Sequence, residues 1–187
     1  MAQMDKYKKV SLSGGAILGI IITFIIIGGL IFLMIPTEKE RIYKEYSAAS
    51  STLPVNHNLN EVSLKKLTKE VKKMDDDEFL IVYFGYSGCS NCVQQLGNIV
   101  TKTRDVLKVE EVLYLKSNDN EGDPLVKKSD LVKAFGNEEI GDKTPEIWVF
   151  KGGELLVSTV DYFNKDEETI SWDTFWLRVE HEMGLNA

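Results

Sequence analysis

The chain of 187 residues holds two cysteines, and they stand two residues apart as Cys89-Ser90-Asn91-Cys92. A sulfur with a second sulfur one helical turn away can exchange disulfides. The first thiolate attacks a partner disulfide, a mixed disulfide forms, and the second sulfur attacks it and releases the partner reduced. That chemistry needs a thiolate at the first position, so the surrounding elements have to favour one. Phe79 to Phe84 is an unbroken apolar, β-branched and aromatic run and reads as a buried strand. Gly85 to Gly88 is a short loop. Val93, Leu96, Ile99, Val100, Val106 and Leu107 then recur with the spacing of a helix that runs to about Lys108. This order puts Cys89 at a helix N-terminus, where unpaired N–H groups and the macrodipole favour negative charge, and puts Cys92 one turn further in as the resolving sulfur.

Other chemistries find less support. The two histidines, His57 and His181, lie far apart, and the cysteines are already paired in sequence, so no four-ligand zinc site is expected. The acidic turn from Asn118 to Pro124 does not have the glycine and glutamate spacing of a calcium-binding loop, and no metal is expected there. A net charge of −7 and a pI near 5.0, without a basic stripe, argue against a nucleic-acid partner. A body of roughly 130 residues buries over 60% of its unfolded surface, so the cysteines are not needed as a staple.

The elements that must position the pair follow in order. Residues 1–13 form a short tail carrying Lys6, Lys8 and Lys9. Residues 14–35 hold no charged side chain. As a helix they span about 33 Å, enough for a bilayer core. The stretch is longer than the apolar part of a signal peptide, and Met34 to Thr37 offers no small-residue cleavage site, so an uncleaved transmembrane helix is expected. Lysines and arginines on the two sides nearly balance (Lys39, Arg41 and Lys44 follow the span). A short tail before the span and a large domain after it is the layout of an exported domain, which predicts a single-pass protein of the cell membrane with its C-terminal domain extracytoplasmic. Gly15 and Gly19 have helix-dimer spacing that reads as chance.

Residues 36–58 read as a stalk and linker rich in Ser and Asn, with His57 a solvated residue, and residues 59–187 as the domain. Within the domain, Glu61-Val62-Ser63 suggests an edge strand. Leu64, Leu67, Val71 and Met74 mark an amphipathic helix whose lysine-rich face is solvated. Val109 to Leu115 suggests a buried strand, and Leu125 to Phe135 a helix ended by Gly136. Glu146 to Phe150, a Gly152-Gly153 turn and Leu155 to Val160 form an antiparallel hairpin. Trp172, Phe175, Trp176, Val179 and Met183 give the core stripe of a closing helix, with His181 on its surface. The sum is an α/β chain with parallel strands joined by helical crossovers and a hairpin on one edge.

A strand, Cys-x-x-Cys at a helix start, and Thr144-Pro145 entering a strand that ends in Gly152-Gly153 together resemble the thioredoxin fold over about residues 59–187. That resemblance implies a mixed central sheet with a C-terminal antiparallel hairpin and helices on both faces. It also implies that Pro145 is cis and faces the cysteines, so that Thr144 and Pro145 bind an extended substrate strand. The anchor, the Glu61 to Leu67 segment and the Tyr83 to Cys92 segment are similar to membrane-anchored thioredoxin-like proteins of Gram-positive bacteria, among them the bacteriocin transport accessory type. The chain departs from the family pattern in four places. Tyr83 stands where thioredoxin has a buried Asp that accepts the proton of the second cysteine, Gly88 replaces the Trp before the first, and Ser90-Asn91 is not a familiar dipeptide. Gly97 takes the position of a kinking proline.

The function expected is that of a membrane-tethered thiol–disulfide oxidoreductase, with Cys89 as nucleophile and Cys92 as resolving residue. Gly88, Ser90 and Asn91 form the active-site loop, and Glu146 or Asp142 is the candidate replacement proton relay. Its partners would be thiols and disulfides of exported proteins, the membrane through residues 14–35, and a redox partner in the membrane. It would need no cofactor beyond the Cys89–Cys92 disulfide itself. The alternative is a non-catalytic accessory module of a secretion or bacteriocin export system in which the disulfide is static. Peroxide scavenging lacks the Thr and Arg that usually back a peroxidatic cysteine.

Overall fold

The computed structural model describes residues 14–164 and 169–185. The tail 1–13, with its three lysines, lies outside the described residues. The chain divides into two compact units, 1–37 and 38–187. The first contains helix α1, Gly14–Met34, of 21 residues. Among the described residues no helix is long and apolar enough to cross a membrane.

The second unit is built on a five-stranded sheet: β1 (Leu59–Glu61), β2 (Phe79–Gly85), β3 (Val112–Lys116), β4 (Glu146–Lys151) and β5 (Glu154–Ser158). Their spatial order is β1-β3-β2-β4-β5. Strand β3 runs parallel to β1 and β2, while β4 is antiparallel to β2 and to β5. The crossovers are α3 (Leu64–Val71), α4 (Ser90–Thr101) and α5 (Lys128–Phe135), and α6 (Trp172–Glu182) closes the chain. This is the mixed sheet with an antiparallel edge hairpin that the resemblance implied. The edge strand lies two residues earlier than Glu61-Val62-Ser63 suggested. The hairpin turn places both Gly152 and Gly153 at positive φ, 56° and 83°, which suits glycine and the twist of the strands it joins.

The period-two alternation of the strands divides the core between the two faces of the sheet. Ile81, Tyr83, Tyr114, Ile147 and Val149 face α4 and α6, where Leu96, Ile99, Phe175 and Val179 cover them. Val82, Phe84, Leu113, Leu115, Trp148 and Phe150 face α3 and α5, against Leu67, Val71 and Leu131.

The segment expected as stalk and linker belongs to the folded unit. Helix α2 (Glu38–Ala48) buries Ile42 and Tyr46 in the first of these cores, where they are 1% and 0% exposed. Two apolar side chains four apart are the only fully buried positions of this helix. His57, expected in solvent, is buried. Its Nδ1 accepts from the Leu59 N–H at 3.3 Å and its Nε2 donates to the Lys39 carbonyl at 2.9 Å, so it ties the start of α2 to the start of β1. Burial pushes its pKa down. Leu53, between α2 and His57, is also in the core. The crossing of this segment over α4 explains Gly97: a Cβ there would lie 2.1 Å from Thr52 Oγ1 and 2.9 Å from the Thr52 carbonyl oxygen. The glycine admits a neighbouring chain, and the helix continues past it. The expected helix to Lys108 ends instead in a π-helical turn, Lys102–Val106, after Thr101. A short hairpin, β6 (Phe163–Asn164) with β7 (Thr169–Ile170), precedes α6 and had no signal in the sequence pattern.

Candidate active site

Cys89 is the N-cap of α4. Its backbone is extended, with φ −87° and ψ 116°, and its Sγ accepts the Cys92 N–H at 3.2 Å. A sulfur thus takes the place of the usual oxygen cap and receives one of the helix's unpaired donors. The Thr144 hydroxyl donates to the same sulfur at 3.4 Å, and the Thr144 carbonyl oxygen lies 3.5 Å away, within reach of the protonated thiol. The Thr144–Pro145 peptide is cis. The structure therefore places Thr144 against Cys89.

Cys89 is half-buried and Cys92 fully buried. The two thiols are pushed in opposite directions. Cys89 falls to about 6, first because the Cys92 thiol hydrogen-bonds to its thiolate, then through the Thr144 hydroxyl and the N–H groups of Cys92 and Asn91, against an opposing cost of burial. Cys92 rises well above the ordinary thiol range, chiefly because burial disfavours its charged form and also because the Cys89 thiolate lies beside it. The outer sulfur is thus a nucleophile at neutral pH and the inner one is held protonated in reserve. Around them, Gly88, Ser90 and Asn91 are exposed. Gly85 is enforced by space, since a Cβ would stand 2.7 Å from Tyr83 Oη and 3.0 Å from Cys92 Sγ.

The two carboxylates considered as relays have other partners. Asp142 is exposed and pairs with Lys128. Glu146 is 1% exposed, and its carboxylate accepts the N–H groups of Gly141, Lys143 and Trp148 Nε1, each at 2.8 Å. Burial raises its pKa, while these three donors pull it down. It fixes the loop that delivers Thr144 and Pro145 and is a positioning residue. The side chain that the fold brings towards Cys92 is Tyr83, whose hydroxyl stands with the Cys92 sulfur around the place that a Gly85 Cβ would fill.

Sequence reasoning missed a second set of residues. Glu45 of α2 accepts the Ser87 hydroxyl at 2.7 Å and pairs with Lys116 at 2.6 Å, which fastens the loop before the cysteines to α2 and β3. No pattern pointed to Glu45 once its segment had been read as a stalk. Beside the cysteines, Asn91, Gln95, Thr144, Pro145, Phe163 and Trp172 line an open groove. The Lys143 ammonium lies 3.1 Å from the centroid of the Phe163 ring at its edge. Among the described residues no group of three or more potential metal ligands comes together.

No family model and no curated protein matches the chain. Among solved structures it is similar to the short form of thioredoxin f from spinach chloroplast at 14% identity, with a TM-score of 0.45 over 67% of this chain and 94% of that one. Thioredoxin O2 from Arabidopsis thaliana in the oxidized state is 16% identical, with a TM-score of 0.41 over 70% of this chain and 95% of that one. Oxidized mitochondrial thioredoxin 3 from Saccharomyces cerevisiae is 15% identical, with a TM-score of 0.37 over 61% of this chain and 84% of that one.

Proposed function

We propose that the chain is a membrane-tethered, extracytoplasmic thiol–disulfide oxidoreductase acting on exported proteins. The observation that carries this is the Cys89 sulfur: it caps a helix, accepts the Cys92 N–H and the Thr144 hydroxyl, and has the buried Cys92 thiol behind it. In the reducing direction the Cys89 thiolate attacks a partner disulfide, and one partner sulfur leaves as thiolate. Cys92 then attacks Cys89 Sγ, the Cys89–Cys92 bond forms, and the second partner sulfur is released. In the oxidising direction the same steps run backwards, and the geometry serves both. The groove at Thr144 and Pro145 lies where an extended partner strand would pass beside Cys89.

The tether is residues 14–35, supported by the absence of charge and by the helix Gly14–Met34. The placement outside the cytoplasm rests on the layout of tail, span and domain, and an affinity with the bacteriocin transport accessory type rests on sequence resemblance. The redox partner that resets the pair would be another membrane-associated thiol protein.

Replacing Cys92 by Ser leaves the mixed disulfide without its resolving sulfur. Cys92→Ser in the full chain is expected to accumulate, in membranes, disulfide-linked adducts that vanish on reduction and in the Cys89→Ser, Cys92→Ser double variant. Absence of Cys89-dependent adducts, together with undiminished biological activity of the double variant, would show a static module instead.

A further inference from the structure

Cys92 has to become a thiolate at the moment it closes the disulfide, yet it is fully buried. The side-chain hydroxyl that the fold places near its sulfur is that of Tyr83. Tyr83 is itself 0% exposed and belongs to a cluster with Tyr46 of α2 and Tyr114 of β3, both also 0% exposed. Tyr46 Oη lies 3.4 Å from Tyr83 Oη and donates to Tyr114 Oη at 3.3 Å. The Tyr83 and Tyr114 rings pack with centroids 5.5 Å apart, so neither hydroxyl can swing away to solvent. Gly85 leaves the Tyr83 hydroxyl and the Cys92 sulfur as neighbours, since both crowd the place its Cβ would fill. A tyrosine has one hydroxyl hydrogen. With the Tyr46 hydrogen directed to Tyr114, that of Tyr83 has two acceptors to choose between, Tyr46 Oη and Cys92 Sγ.

Resting on the oxidoreductase reading, we propose that Tyr83 is a catalytic residue of the closing step: its hydroxyl turns from Tyr46 Oη to Cys92 Sγ and donates a hydrogen bond to the Cys92 thiolate as it attacks Cys89. The bond between Cys89 and the partner sulfur breaks as the Cys89–Cys92 bond forms. The partner sulfur leaves with the electron pair and takes up the proton Cys92 gave up, and Tyr83 is neutral before and after. A neutral donor suits this site, because burial holds the phenols of Tyr83, Tyr46 and Tyr114 protonated far above neutral pH. The other ionisable groups that act on the cluster are Cys89 and, through Tyr114, the carboxylates of Glu45 and Glu61.

The test uses the reduced full-length chain and the chromogenic disulfide dithiobis(nitrobenzoate), which reports each release separately. A wild type that gives no second release removes the oxidoreductase reading itself. Given two releases, Tyr83→Phe is expected to leave the first, which belongs to Cys89, within about twofold, and to slow the second about tenfold with its pH profile displaced to higher pH, the loss of one hydrogen bond to a charged sulfur. A folded Tyr83→Phe whose second release keeps the wild-type rate, or slows without an alkaline displacement, overturns the proposal. Should Tyr83→Phe not unfold cooperatively, Tyr46→Phe decides. It leaves the Tyr83 hydroxyl only Cys92 to donate to and is expected to speed the second release about threefold. An unchanged or slower release there overturns the proposal as well.

Discussion

At the residue scale, the site works by separating two identical thiols. Cys89 collects donors at a helix start and Cys92 is denied water, so one is anionic and the other neutral at the same pH. Alkylation of the reduced protein is therefore expected to show Cys89 reacting with a midpoint near pH 6, while Cys92 stays unmodified through the range where an ordinary thiol ionises. The same shift acts on stability. A thiol lowered in the folded state stabilises it fully above the ordinary thiol pKa of about 8.5, and that contribution is lost as the pH falls through about 6. Urea titrations of the reduced protein should show stability rising over this window, and Cys89→Ser should flatten the rise. Glu146 gives a second expectation. Its carboxylate receives three N–H donors, and an amide can accept from only some of them before its own N–H groups oppose the rest. Glu146→Gln is expected to cost about 2 kcal/mol in denaturant unfolding and to weaken partner capture, through the Thr144 loop it holds.

Elements explain why a few residues matter beyond their own chemistry. Strand β2 delivers Tyr83 and Gly85 beneath the cysteines, α4 supplies the donors, β4 begins at the residue after Pro145, and α2 brings Glu45 and Tyr46 to the same region. The polar contacts of α2 and the 50s segment are the part that patterning conceals. Ser, Pro and Asn in residues 47–60 satisfy both a linker and a closely packed loop, and the difference lies in long-range contacts such as His57 with Lys39 and Thr52 with Gly97. Gly97→Ala would force Thr52 and its backbone away from α4 despite the better helix propensity of alanine. Overpacking of this kind costs roughly 1–3 kcal/mol, so calorimetry is expected to show a lower Tm for Gly97→Ala. A raised Tm would mean that helix propensity decides at this position.

For the whole molecule, the sheet and its two covered faces were legible because they depend on signals that sequence carries: the run Phe79 to Phe84, the helical stripes around Leu67 and Phe175, and the double glycine at 152 and 153. Cys89 and Cys92 were legible because a strand followed by a helical stripe sets them one turn apart at a helix start, while Thr144 was reached through the thioredoxin resemblance and not through spacing. What resisted was identity at a distance. Tyr83 registered only as a missing carboxylate, while its role as the group beside Cys92 depends on Tyr46 and Tyr114, 37 positions before it and 31 after. Glu146 looked like a relay because it follows Pro145, and its three backbone and indole donors became visible only in three dimensions. The central claim, that the pair Cys89 and Cys92 exchanges disulfides, is tested most directly by counting thiols released when the reduced full-length chain meets excess dithiobis(nitrobenzoate). The expected result is two equivalents per chain, no label left on the protein, and a closed Cys89–Cys92 disulfide by mass. One equivalent with a stable protein-bound label, or none, would contradict it.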